Sequence, residues 1–320
     1  MNAPAASDRL SHLPISFFAV VMGLCGLTLA WTKGEHVLGL PFVSPMLAAL
    51  VAAVFLTLAA LFLVKLVRHA DAVRDELHHP IKLSFFPTLS ISMLLFAVVV
   101  LELAPRLSHG LWLVGAGLHL GFTLYVLGAW INHEHFQIQH MNPSWFIPVV
   151  GNIIVPVAGV AHGYTEISWF FFSIGLLFWL VLKAVVFYRL IFHPPLPGKL
   201  TPTLFILIAP PAVGFISYLK LTGSLDPFAR ILYYAGLFLT LLLLTQARRF
   251  ARLQFFLSWW AYSFPLAAIT IATMALYERL HTPALMALSW GLLGLLCVVI
   301  AGLSWRTLLA VRRREICVAD

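Results

Sequence analysis

The chain has 320 residues, of which 61% are hydrophobic and only 10% charged. A water-soluble globular domain carries roughly 25% charged residues, and a mean hydropathy of +0.96 leaves too little polar surface for water. Secreted, cytosolic and disordered classes are excluded, and the composition describes an all-α polytopic membrane protein. The formal net charge of +8 does not call for nucleic acid. The basic residues sit in short links beside apolar stretches, where the positive-inside rule accounts for them.

A hydrocarbon core about 30 Å thick needs roughly 20 apolar residues per helical crossing. Taken in chain order, ten stretches qualify: 13–30, 45–67, 83–103, 110–131, 145–161, 167–191, 203–220, 227–247, 255–277 and 283–310. The links between them are short and rich in turn residues, such as His193-Pro194-Pro195-Leu196-Pro197-Gly198. The expected organisation is a short cytoplasmic N-terminus over 1–12 without a cleaved signal peptide, one membrane domain over 13–310 and a short basic tail over 311–320. Of the twenty Lys and Arg, fourteen fall on the side of the chain ends, five on the other, and Lys183 lies within a span. That bias predicts both termini in the cytoplasm, in an inner (plasma) membrane.

Odd and even spans differ. Interior prolines occur at Pro87, Pro148, Pro156, Pro210, Pro211 and Pro265, all in odd spans, whereas even spans hold proline only in the first turn, at Pro45, Pro227 and Pro283. The interior prolines recur about every sixty residues, which predicts five helical hairpins, each a kinked helix followed by a straighter one. The first hairpin is expected to be the exception, with Gly23 and Gly26 in place of a proline. No odd span carries Asp, Glu, Lys or Arg through its centre. Kinked helices leave backbone groups unpaired, which membrane depth tolerates only against protein or a water-filled cavity. Ten transmembrane helices are therefore expected, the five odd ones inside around a central path and the five even ones outside.

The ninth span reads Ser258-Trp259-Trp260-Ala261-Tyr262-Ser263-Phe264-Pro265-Leu266. This closely resembles a segment of the slow-anion-channel family, also called the tellurite-resistance/dicarboxylate transporter family. His79-Pro80-Ile81-Lys82-Leu83-Ser84-Phe85-Phe86 is similar to the start of that family's third span. Asn142-Pro143-Ser144 with Val149-Val150-Gly151-Asn152 is similar to its fifth, and Ala209-Pro210-Pro211-Ala212 with Ser217-Tyr218 to its seventh. The resemblance runs from residue 13 to about 310. It implies a quasi-fivefold pore in each subunit of a homotrimer, and an aromatic gate that maps onto Phe264. The chain shows no long N-terminal tail like that of plant relatives, so kinase gating is not expected.

A phenylalanine ring in a narrow, charge-free path keeps it dry and blocks ions until the ring moves; Pro265 beside it loosens the local backbone. The same ring in a core would merely pack. Phe18, Phe86, Phe146 and Phe205 occupy comparable places in other odd spans, and Gly23 does so in the first. Ser90, Ser92, Asn152, Ser217, Thr270 and Thr273 are candidate polar liners, although each can equally bond its own helix. Pro87, Pro148, Pro211 and Pro265 are the expected pore-helix kinks. Lys82 either concentrates anions at the inner mouth or serves topology alone.

Lys183 lies close enough to Arg189 to snorkel to the interface. His119 is a candidate proton relay or a neutral packed histidine. Asn132-His133-Glu134-His135 with His140 lacks a periodic ligand set and reads as a solvated loop. Cys25, Cys297 and Cys317 make no disulfide framework, and no metal or cofactor is expected. With no H-E-x-x-H and no paired carboxylates at depth, an enzyme is not expected either. The sequence points to a passive channel for small monovalent anions such as chloride and nitrate. Its rival is a proton-coupled exporter of sulfite, tellurite-related oxyanions or C4-dicarboxylates.

Overall fold

A computed structural model describes residues 9–132 and 136–318. His133, Glu134 and His135 lie outside the described residues, as do the first eight and last two positions of the expected terminal segments. Nine helices among the described residues are long and apolar enough to cross a membrane: Ile15–Leu38, Ser44–Arg68, Lys82–Val99, Pro105–Asn132, Thr165–Phe192, Thr201–Thr222, Pro227–Leu244, Leu257–Leu280 and Pro283–Arg312. A tenth apolar segment, Pro143–Gly159, is shorter and completes the ten expected spans.

Burial separates the spans into two layers. In the first, third, seventh and ninth spans 61–78% of the central residues are buried, against 28–39% in the even spans. Every residue from Met141 to Pro156 in the fifth is buried. The odd helices are thus the core and the even helices the lipid-facing shell. Pro87, Pro148, Pro156, Pro210, Pro211 and Pro265 are all buried, so none of the breaks faces lipid.

The prolines do not kink continuous α-helices. Each odd span instead begins with 3-10 turns, over Ile15–Phe17, Lys82–Phe85, Pro143–Trp145, Thr201–Ile208 and Leu257–Tyr262, before turning α-helical. Pro87 precedes the α-helix Thr88–Val99, Pro210 and Pro211 open Ala209–Thr222, and Pro265 lies in the first turn of Ser263–Leu280. In the first turn of an α-helix the missing N–H of proline costs nothing. Pro148 belongs to the five-residue helix Phe146–Val150, which gives way to a second 3-10 stretch at Gly151–Ile154. The first span shares the 3-10 lead-in but differs in its proline: Pro14 stands before the 3-10 turn, and the α-helix Phe18–Leu38 contains Gly23 and Gly26 and no proline.

Shell helices reach the core through close contacts. On the sixth span, a Cβ at Gly175 would lie 2.7 Å from the backbone nitrogen of Ile153, so only glycine lets the two helices meet there. A buried ion pair fastens the rim beside the chain ends. Lys65 Nζ, fully buried, donates to Glu76 Oε1 at 2.9 Å and to the Leu13 carbonyl at 2.8 Å. It ties the second span to the short helix Ala70–His78 and to the lead-in of the first span.

Candidate functional site: a vestibule closed by an apolar ring

The five odd spans surround a cavity of about 1060 Å³ that opens beside the chain ends. Its wall is periodic. The third span presents Phe85, Thr88 and Ile91, the seventh Thr203, Ile206 and Ala209, the ninth Ser258, Ala261 and Phe264, and the first Ser16, Ala19 and Met22. In the seventh and ninth spans the pairs Thr203/Ile206 and Ser258/Ala261 lie within the 3-10 lead-ins, where side chains at i and i+3 stack along the axis; in the first and third the step continues into the α-helix. The fifth span contributes Ile147, Val150, Gly151 and Ile154. The last lining residues along the five odd spans are Met22, Ile91, Ile154, Val213 and Phe264–Pro265, all of them apolar.

Of the residues expected to form the path, Phe264, Pro265, Phe146 and Lys82 line this cavity. The others do not. Phe18 packs edge-on against Phe55 and Phe62 of the second span, Phe86 against Phe122, and Phe205 against Phe250 and Tyr262. Gly23 is a contact point between the first and ninth spans, where a Cβ would overlap the side chain of Ser263 and come within 2.9 Å of Trp260. Pro87, Pro148 and Pro211 lie behind the wall.

The expected polar liners are also behind it, and each has a structural partner. Ser90 Oγ donates to the Pro87 carbonyl at 2.9 Å, Ser92 Oγ to the Phe18 carbonyl at 3.1 Å and Ser217 Oγ to the Ile153 carbonyl at 2.5 Å. Thr270 and Thr273 donate to Leu266 and Ile269 one turn back, both at 2.7 Å. Asn152 Nδ2 donates to Thr123 Oγ1 and to the Val149 carbonyl. A buried hydroxyl must satisfy its own proton first, and backbone carbonyls are at hand. Three hydroxyls on the wall behave alike: Thr88, Thr203 and Ser258 donate to the carbonyls of Phe85, Leu200 and Lys199, each at 2.6 Å.

The mouth is of mixed charge rather than simply basic. His12, His79, Lys82 and Lys199 line it together with Asp75, Glu76 and Glu315. The helix Ala70–His78 brings the first two acids. The backbone after the tenth span brings the third, folding over the rim so that Arg9 Nη2 donates to the Ile316 carbonyl at 2.9 Å. Burial pushes the Cys317 thiol there above its ordinary range, despite the nearby charges of Arg9 and Lys65. No group of three or more potential metal ligands occurs among the described residues.

The family described as voltage-dependent anion channel, SLAC1, matches residues 12–308. The chain belongs to this family. It is 32% identical over 280 residues to the S-type anion channel SLAH3 of Arabidopsis thaliana, covering 83% of this chain and 43% of that protein. Against the S-type anion channel SLAH2 of the same plant it is 29% identical over 310 residues, covering 94% and 58%. The chain thus spans about half the length of these plant relatives. The tellurite resistance protein TehA homolog of Haemophilus influenzae is 27% identical over 270 residues, with 83% of this chain and 82% of that protein covered. This slow-anion-channel chain is a multi-pass membrane protein of an anion-transporting family, and membership excludes an enzyme.

Proposed function

We propose that the chain is a passive channel for small monovalent anions such as chloride and nitrate, with Phe264 as its gate. The observation that carries this reading is the vestibule wall, whose last lining residues along the odd spans are apolar, with Phe264 the one aromatic among them. A dry apolar constriction excludes ions until a side chain moves. Gly26 of the first span lies beside Phe264: a Cβ there would be in ordinary contact with Cδ2 of the ring at 3.5 Å, while Ala267 Cβ, at 2.7 Å, is what requires the glycine. Beyond the mouth the wall bears no Asp, Glu, Lys or Arg, so an anion meets no site tight enough to hold it. In this reading the vestibule and both chain ends face the cytoplasm of an inner membrane, and three copies assemble with one pore each.

Anion-substitution recordings on purified protein in planar bilayers test the proposal. Reversal potentials should follow the gradients of chloride and nitrate. Substrate flux that depends on a proton gradient, with no current at any voltage, would establish a coupled carrier instead.

A further inference from the structure

His119 lies in the fourth span, behind the vestibule wall and without solvent exposure. Its Nδ1 is 2.9 Å from Ser90 Oγ, whose hydroxyl is in turn 2.9 Å from the Pro87 carbonyl. A carbonyl only accepts, so the Ser90 proton goes to Pro87 and the imidazole supplies the proton of the other bond. Hydrogen-bond logic thus assigns the Nδ1–H tautomer and leaves Nε2 a bare lone pair. Nε2 is buried with no partner, and so is Oδ1 of Asn152.

One residue separates that lone pair from the path. Gly151 lines the vestibule, and a Cβ built on it would lie 2.8 Å from His119 Nε2 and 2.7 Å from Cε1. The wall is a single backbone thick here, with the imidazole edge on one side and the anion path on the other.

Among the described residues, nothing packed against His119 offers a counter-charge. The third span carries only Lys82, at its start, and the fifth span has no titratable side chain. On the fourth span itself Arg106 and His109 sit in the first turn and Tyr125 faces outward, 44% exposed. An imidazolium left alone at such depth is strongly disfavoured. An anion in the vestibule beside Gly151 supplies the missing charge.

We propose that His119 is a proton site linked to anion occupancy of the vestibule. Nε2 takes up a proton delivered from solution as hydronium, which is left as neutral water, while an anion settles at the Gly151 wall; an N–H bond forms as an O–H bond of hydronium breaks, and the imidazolium and anion charges balance. Linkage is reciprocal, so the anion favours the proton and the proton favours the anion to the same degree. This inference rests on the anion path proposed above.

The test is chloride current through purified protein between pH 5.5 and 7.5, at a low and a high chloride concentration. Carboxylates, with ordinary values near 4, stay ionised across this window. Current should rise several-fold as pH falls, with a midpoint that moves to higher pH in high chloride. His119→Gln keeps an amide to meet Ser90 and should conduct with a flat pH profile. His12 and His79 are the other histidines that line the vestibule, so the double variant His12→Asn/His79→Asn should retain the rise. A rise that persists in His119→Gln, or vanishes in the double variant, overturns the proposal. If His119→Gln does not fold, the double variant decides: a midpoint indifferent to chloride overturns it. Absence of current at every pH would strike the anion path itself, a different failure.

Discussion

Gly26 of the first span and Phe264 of the ninth face one another so closely that a Cβ on the glycine would lie 3.5 Å from Cδ2 of the ring and 2.7 Å from Cβ of Ala267. The ring is only 9% exposed, yet it lines the vestibule. The ring therefore has on the side of the first span a neighbour without a side chain, and the last lining residues along the other odd spans, Met22, Ile91, Ile154 and Val213, are apolar.

Phe264→Ala should raise basal anion conductance strongly. Truncation removes the atoms that keep the ring of side chains dry and leaves Pro265 in place, and apolar constrictions fail by wetting. Phe264→Leu, which keeps apolar bulk, should give a smaller increase. If the phenylalanine only packs, its truncation costs about 3–5 kcal/mol and lowers expression or current. Single-channel recording on folded protein separates the two readings by the sign of the change.

Lys183→Met should leave conductance and anion selectivity as they are. Lys183 Nζ lies 4.8 Å from the centroid of Trp179 on its own shell helix, and the lysine is absent from the vestibule wall. The lost cation–π contact is worth about 0.5–1 kcal/mol, a small change in melting temperature. A shift of reversal potential in the variant would place the lysine on the path.

The ten crossings and their division into core and shell were legible because both rest on simple physics: apolar length, charge, and proline confined to alternate spans. The path itself was largely hidden. Choosing polar residues as liners selected Ser90, Ser217, Thr270 and Thr273, which spend their hydroxyl protons on buried carbonyls. Along the 3-10 lead-ins the wall follows a step of three, and at the third span Phe85 rather than Phe86 lines it. Pro87, Pro210, Pro211 and Pro265 at the heads of the α-helices are the signal that marks those junctions in the third, seventh and ninth spans. The acids of the short helix Ala70–His78 join the mouth through tertiary packing, which no local pattern encodes.

The Lys65–Glu76 pair predicts an asymmetry. Lys65 is fully buried, whereas Glu76 keeps 11% of its side chain exposed and lines the vestibule. Glu76→Gln strands a buried ammonium and should cost about 3–5 kcal/mol, the range for breaking a buried pair from one side. Lys65→Met removes the fully buried charge and leaves the less buried partner, a carboxylate whose Oε2 already has no hydrogen-bond partner, so it should cost less. Thermal unfolding in detergent would rank them, and equal losses would contradict the argument.

At the opposite rim, His162 Nε2 lies 3.0 Å from Ser108 Oγ, with the His109 ring 5.1 Å away. Burial, then the charge of His109, holds His162 below the ordinary histidine range. The folded protein therefore binds this proton less readily than the unfolded chain. Its stability contribution is complete above about pH 6.5 and is lost as pH falls through the lowered folded value. Melting temperature should drop between pH 7.5 and 5.5, and His162→Gln should reduce that drop. An unchanged slope in the variant would assign the effect elsewhere.

The fifth span has the fewest residues with which to reach across, from Pro143 to Gly159. Two stretches of it are 3-10 helix, Pro143–Trp145 and Gly151–Ile154, and such turns rise about 2.0 Å per residue instead of 1.5 Å. The stretched turns extend the segment to about 29 Å, where an unbroken α-helix of the same length would reach about 26 Å. That brings it to the roughly 30 Å of an average hydrocarbon core with almost nothing to spare. The neighbouring spans can tilt to suit a thicker bilayer, whereas this one, buried from Met141 to Pro156, cannot lengthen without unwinding the wall beside Gly151. A thicker bilayer therefore acts on the fifth span together with the eighth, Pro227–Leu244, whose 18 α-helical residues reach only about 27 Å.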